Sequence, residues 1–194
     1  MIKKDDILDA SIELFSRDGF YNTGMRDIAS EAGVAIGTIY HHFEDKNSIL
    51  VYILRDAIEE RRRFMEELRQ NESSVHEKIE QIIELHFERF RRRSALGRLI
   101  VTQSRQPGDE LQDVYRELYQ DIAEFVTELM DEGVRRGVVT STCDPCIVSY
   151  ALVGAMENIT MKLMETDPDD RDDRMYERAS SQLTHLLWNG LAER

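Results

Sequence analysis

The sequence predicts an all-α protein of about nine helices, a three-helix head followed by a helical-bundle body. Three observations carry that expectation. Apolar residues recur every three or four positions through each long segment, the spacing of a helix face, and no stretch alternates as a half-buried strand would. Residues 23 to 46, TGMRDIASEAGVAIGTIYHHFEDK, break at a single glycine into two short amphipathic runs. The 194 residues, 41% hydrophobic and 32% charged, suffice for a small head and a larger body without metal or disulfide staples.

The first helix spans about Lys3 to Asp18, with Ile7, Leu8, Ile12, Leu14 and Phe15 on its buried side. Gly19 ends it and Phe20 packs back. Thr23 is placed to cap the second helix, in which Met25, Ile28, Ala29 and Ala32 form the apolar side and Arg26, Asp27, Ser30 and Glu31 the wet side. Gly33 follows where the chain must leave the helix, because glycine takes a left-handed conformation without a Cβ clash. The third helix begins near Ala35. Its Ile39 and Phe43 are four apart and share a face, leaving Gly37, Thr38, Tyr40, His41 and His42 around the rest.

Asp45 caps a long fourth helix, about Lys46 to Gln70, whose Ile49, Leu50, Ile53, Leu54 and Ala57 face inward and which joins head to body. Its second half, EERRRFMEELR, alternates acids with arginines and reads as a solvated face. After a break capped by Ser73 or Ser74, residues 75 to 93 place Val75, Ile79, Ile82, Ile83, Phe87 and Phe90 on one side. Leu96 to Ser104 is a short apolar segment. A long helix from Asp109 to Arg136 keeps the 3.6-residue period from Leu111 to Met130, and Gly133 and Gly137 mark its end. Pro145 suits the first turn of a helix running from Ile147 to Met164. The acidic loop TDPDDRDD separates it from a last helix at about Met175 to Leu191.

Two short helices meeting at a glycine and supported by a third form a helix-turn-helix, whose second helix fits a major groove roughly 12 Å wide. In that pose Thr38, Tyr40 and Lys46 reach phosphates. Gly37 lets the backbone approach closely, and His41 or His42 meets a base edge. The net charge of −13 opposes such a partner, and residues 1 to 50 are themselves acidic, with five basic against nine acidic side chains. Placement has to rescue binding: Lys3, Lys4, Arg26 and Lys46 lining one face would give a narrow basic footprint on an acidic molecule. Thr23, at the start of the second helix, completes the candidate DNA-binding set. The excess of arginine over lysine fits adaptation to high salt and GC-rich coding equally.

The run from Thr23 to Lys46, preceded by A-x-x-L-F-x-x-x-G-F, resembles the N-terminal domain of TetR-type regulators. The resemblance implies a homodimeric, all-helical repressor, released from a palindromic double-stranded DNA operator by a small molecule. It divides the chain into a DNA-binding domain, 1–46, and an effector-binding and dimerisation domain, 47–194. Ala35 stands where the family often has serine or threonine, which removes a side-chain cap. Ile36 stands where a polar residue is common, and fits a thymine methyl instead.

The last two helices carry Tyr150, Ala151, Gly154, Ala155 and Asn158, then Leu183, Leu187 and Trp188. Small residues at that spacing allow close helix approach, and two such helices from each subunit would make a four-helix interface. Intrachain packing is the alternative. The effector site is expected among Phe87, Phe90, Leu99, Val101, Tyr115, Tyr119, Ile122, Met156, Ile159 and Met164, although each residue taken singly fits core filling better. Residues 96 to 106, L-x-x-L-I-V-T-Q-S-R-Q with glycine and arginine in the gap, resemble the fatty-acyl-CoA-responsive branch of the family. That resemblance implies an acyl chain inside the body and the nucleotide end near Arg93, Arg98 and Arg105. A drug-like ligand is the other reading.

Cys143 and Cys146 form a lone C-x-x-C, read as reduced structural cysteines ahead of a redox-sensing role. No metal ligand set, cofactor motif or catalytic motif is present, so no metal site, cofactor or enzyme activity is expected. The rival to DNA binding is a helix-turn-helix dimer acting through a protein partner. No apolar run approaches the roughly 18 residues of a membrane span, and Met-Ile-Lys-Lys leads straight into an amphipathic pattern, so a cytoplasmic location is expected.

Overall fold

Among the residues that the computed structural model describes, 4–92, 94–103, 109–164 and 174–191, there are nine α-helices and no strand. They are α1 Lys4–Arg17, α2 Met25–Glu31, α3 Ile36–His42, α4 Lys46–Gln70 and α5 Val75–Arg92. Then come α6 Ser94–Gln103, α7 Asp109–Arg135, α8 Pro145–Met164 and α9 Arg174–Leu191. The segment around Leu96, read from the sequence only as apolar, is the helix α6. The loops expected near Pro107 and in TDPDDRDD lie outside the described residues. The chain divides into two compact units, Met1–Glu60 with Arg93–Arg116, and Arg61–Arg92 with Glu117–Arg194, so that α4 and α7 each contribute to both.

In the first unit α1 packs on α2 and α6, and α2 on α3. Its core is the predicted register: Ile7, Leu14, Phe15, Phe20, Ile28, Ile39, Ile49, Leu50 and Leu54 are buried. Phe15 and Phe20 meet edge to face at 5.0 Å. Each such side chain contributes about 1.5–3 kcal/mol on burial. Leu8 and Ile12 are only half-buried, lining a groove with Tyr52, Ile53, Ala95 and Leu96, because that side of α1 faces α4 and α6 rather than the centre of the head.

The start of α2 differs from expectation by one residue. Gly24, not Thr23, is the N-cap, and its amide donates to Asp27 Oδ2 at 2.8 Å. Thr23 is buried and its hydroxyl donates to the Gly19 carbonyl at 2.9 Å, which ties the loop to the end of α1. Asp45 caps α4 as predicted: its Oδ1 accepts the Ser48 amide at 2.7 Å. Ser74 rather than Ser73 caps α5. Its hydroxyl accepts the Glu77 amide at 3.2 Å while the Glu77 carboxylate accepts the Ser74 amide at 2.7 Å, a reciprocal box that also holds Glu77 below the usual carboxylate range.

In the second unit α5 packs on α8 and α9, which also contact each other. Ile79, Ile83, Phe87, Phe125, Val126, Met130, Leu152 and Met156 form its centre. The arginine-rich half of α4 is not a simple solvated face. Arg61 donates to the Leu118 carbonyl at 2.8 Å, Arg62 pairs with Glu117 at 2.8 Å and Asp121 at 2.6 Å, and Arg69 with Glu128 at 3.0 Å. The arginines reach α7, whose acidic residues lie within range, and so their charge clamps two helices. At the end of α7, Gly137 has φ +70°, and a Cβ on Gly133 would sit 2.6 Å from Val139 Cγ2. Both glycines are required by geometry. No helix among the described residues is long and apolar enough to cross a membrane.

Candidate nucleic-acid interface and effector-binding residues

The turn between α2 and α3 is fixed by backbone bonds. Val34 N donates to the Ala29 carbonyl at 2.9 Å and Gly33 N to the Ser30 carbonyl at 3.2 Å, with Gly33 at φ +67°. This is a Schellman ending, and it orients α3. Ile39 and Phe43 anchor α3 in the head core. The opposite face is solvent-exposed: Tyr40 shows 56% and Ile36 36% of its surface, and Gly37, His41 and His42 are exposed beside them. A Cβ at Gly37 would meet nothing within 4 Å. Arg26 is exposed on α2 and Thr38 is half-buried. The two histidine rings sit 5.1 Å apart at 75° and so point in different directions.

Three other candidates for this face are engaged inside the head. Lys46 Nζ donates to the carbonyls of Phe20 at 2.8 Å, Tyr21 at 3.2 Å and Thr23 at 3.0 Å. An ammonium has three N–H donors, and all three are used here. Lys46 therefore fastens the start of α4 to the loop before α2. Lys4 Nζ stands 3.4 Å from the Tyr52 ring centroid and 5.2 Å from that of Phe43, a cation–π contact between α1 and the α3–α4 junction. Thr23 is buried as described above. Lys3 lies outside the described residues.

Of the effector candidates, Arg98, Leu99, Val101 and Tyr115 belong to the first unit, with Leu99 and Tyr115 buried. Arg93 and Arg105 lie outside the described residues. Phe87, Phe90, Tyr119, Ile122, Met156, Ile159 and Met164 belong to the second; Phe87, Phe90, Ile122 and Met156 are buried, the others half-buried. Several of these surround a polar centre that apolar periodicity does not reveal. His86 Nε2 lies 2.9 Å from Thr160 Oγ1, and its ring stands 4.9 Å from Phe90. Burial, with the charge of Arg61 added, pushes the His86 pKa down to about 3, against a weaker raising contact with the Met156 backbone. Arg61 is likewise lowered to about 10 by burial and by Arg89, while Tyr119, Asp121 and Glu157 act the other way. The interior thus combines apolar walls with arginine, carboxylate and a neutral imidazole. The signal for it was register: Arg61 occupies the inward slot between Ile58 and Met65, and His86 that between Ile82 and Phe90.

On α8, Tyr150, Ala151 and Asn158 are exposed and Gly154 and Ala155 half-buried. Ile147 and Tyr150 show 69% and 58% of their surfaces, and Leu186 of α9 shows 69%. Leu183 is buried, Leu187 half-buried, and Trp188 stacks on His76 at 4.4 Å, an intrachain contact. Cys143 and Cys146 are free thiols. Among the described residues no three His, Cys, Asp or Glu side chains gather as a metal site would require.

Residues 7–53 match the family model described as bacterial regulatory proteins, tetR family, and residues 72–161 match the tetracyclin repressor-like C-terminal domain. Over 188 residues, 95% of this chain and 93% of the relative, the chain is 25% identical to the fatty acid metabolism regulator protein of Bacillus subtilis. It is 27% identical to the HTH-type transcriptional regulator UidR of Escherichia coli over 148 residues, 76% of this chain and 74% of that one. The fold is shared with the fatty acid degradation regulator FadR of Bacillus halodurans, at TM-score 0.86 and 23% identity over 98% of this chain and 96% of that chain. It is shared equally with FadR of Bacillus subtilis in complex with stearoyl-CoA, at TM-score 0.85 and 24% identity over 97% and 99%. With a helix-turn-helix that presents α3 to solvent and two family models matched in sequence along its length, the chain belongs to the TetR family of transcriptional regulators.

Proposed function

We propose that the protein is a homodimeric repressor that binds a palindromic operator and is released from it by an amphipathic effector of the long-chain acyl-CoA class. The observation that carries this reading is the exposed face of α3, with Ile39 and Phe43 buried behind it. Each subunit sets α3 into a major groove, the two copies one helical turn or about 34–36 Å apart, or somewhat more. Arg26, Thr38 and Tyr40 meet phosphates, while Ile36, His41 and His42 meet base edges and Gly37 allows close approach. Lys46 and Lys4 act by fixing the head, and the exposed residues of α8 and α9 form the dimer contact. Residues 1–46 act as the DNA-binding domain and 47–194 as the effector and dimerisation domain. The protein works in the cytoplasm and by binding rather than by catalysis.

The likeness to a fatty acid metabolism regulator, and to a relative solved with stearoyl-CoA, supports the choice of effector. So does the centre of Arg61, His86 and Arg89 beside Phe90 and Met156, which offers both charge and apolar wall. Lys46 and Arg61 lie on the same helix, so an effector that shifts α4 at Arg61 acts on the element that Lys46 fastens to the head. A mobility-shift assay on the DNA upstream of the protein's own gene tests both parts. A shifted band that long-chain acyl-CoA abolishes, and free fatty acid does not, is the expected result. A band unaffected by acyl-CoA removes the effector assignment, and no band at any salt concentration removes the DNA-binding one.

A further inference from the structure

We propose that the cleft between the end of α4, the start of α5 and the end of α7 binds a small, multiply charged anion of the phosphate or diphosphate class. The cleft encloses about 530 Å³ within the second unit, room for one or two phosphate groups. Arg69, Lys78, Arg135 and Arg136 line it, against Glu72 and Glu132, on a chain whose net charge is −13.

Lys78 is the residue that needs explaining. Only 6% of it is exposed, it lines the cleft, and among the described residues its ammonium has neither a hydrogen bond nor an ion pair. The burial is that of the stem: the ammonium reaches the open cleft, and among the described residues no carboxylate is paired with it there. Lys78 also occupies an inward slot of α5, between Val75 and Ile82, which a leucine or methionine would fill more simply. The buried stem delivers the charged head to a cleft that Arg69, Arg135 and Arg136 also line.

The rest of the lining is consistent with an anion. Arg136 is matched by Glu132 at 2.8 Å and Arg69 by Glu128 at 3.0 Å. Arg135 donates only to the Asp131 carbonyl, at 3.3 Å, and has no carboxylate partner among the described residues. Basic residues at the end of α7 also suit its dipole, which accounts for Arg135 and Arg136 but not for Lys78. Asn71 spends its Oδ1 on the Ser73 amide and keeps its own amide N–H groups as donors. Glu72 is exposed, where water screens its charge.

Calorimetry of the full chain with sodium pyrophosphate, at ionic strength held constant with sodium chloride, tests the site. The expected result is saturable binding of one pyrophosphate per chain, weakened at least tenfold by Lys78→Met and by Arg135→Gln. Lys78→Met should leave the thermal midpoint without ligand unchanged, since the buried stem is kept in volume. Arg135→Gln, at an exposed position, keeps the test valid if Lys78→Met misfolds. A second arm uses coenzyme A: binding with the same dependence on Lys78 identifies the diphosphate of a larger ligand as the source, and binding of pyrophosphate alone identifies a free anion. No saturable heat with pyrophosphate, or affinities in both variants equal to wild type, overturns the proposal. Because the readout involves no DNA, it stands or falls separately from the operator reading.

Discussion

His86 Nε2 and Thr160 Oγ1 are held 2.9 Å apart, joining α5 to α8 through an imidazole that is kept neutral. Its pKa in the folded state, about 3, lies below the usual 6.5. Above pH 6.5 neither state takes the proton, and the residue contributes no pH dependence. Between 6.5 and 3 the unfolded chain is protonated there while the folded chain is not, so stability falls as the pH falls through that window. The total loss is on the order of a few kcal/mol. Urea titrations at a series of pH values should show this acid limb, and His86→Gln should flatten it.

Lys46 donates to the carbonyls of Phe20, Tyr21 and Thr23. In Lys46→Met the stem remains and the donors are lost, which should destabilise the protein by about 1–3 kcal/mol. Operator affinity should fall with it, since the loop before α2 loosens. Denaturant midpoints and a binding isotherm on the same preparations separate the two effects. Equal stability in mutant and wild type would count against the fastening role.

Tyr40, on the open face of α3, should act through phosphate. Tyr40→Ala is expected to weaken binding about five- to tenfold on operator and unrelated DNA alike. His41→Ala should instead change the preferred base at one position of each half-site, by about 1–3 kcal/mol of discrimination. Selection from a randomised half-site library distinguishes them. Normal operator binding by Tyr40→Ala would mean that α3 docks in another pose.

Gly133→Ala would drive a methyl into Val139, 2.6 Å away. Overpacking of this kind costs about 1–3 kcal/mol, which in a chain of this size lowers the thermal midpoint by about 2–4 °C per kcal/mol. Differential scanning fluorimetry measures it. Gly154, where an added Cβ meets nothing within 4 Å, is the matched control and should tolerate alanine in the isolated chain.

Exposed Tyr150 and Leu186 predict the subunit contact. Tyr150→Glu with Leu186→Glu should give a monomer by light scattering, with an unchanged far-ultraviolet spectrum and no operator binding. A dimer surviving both substitutions would move the interface away from these two helices.

Apolar register located eight of the nine helices among the described residues to within a few residues, leaving α6 as an unassigned apolar segment, because Ile, Leu, Val and Phe occupy nearly every inward slot of α1, α4, α5 and α7. It failed where a polar side chain holds such a slot. Arg61, Lys78 and His86 are invisible to a pattern that scores hydrophobicity alone, and the run around Arg61 read as solvated although it grips α7. Capping was legible for Asp45 and Ser74, whose partners stand three residues on. It misled at Thr23, where the neighbouring glycine serves as well because Asp27 reaches back to its amide. The exposed face of α3 was readable from Ile39 and Phe43. That Lys4 and Lys46 turn toward aromatic rings and carbonyls was not, since those partners are up to 48 residues away in the chain.

Ala35 begins α3 with no side-chain bond to the first turn. The amides of Ile36 and Gly37 should accordingly exchange with deuterated solvent sooner than any others in the head, and a duplex pressed against them should slow that exchange. The helix that reads the operator would then complete its own folding on the DNA, giving up some affinity to ordering entropy and leaving the complex quick to dissociate when an effector arrives.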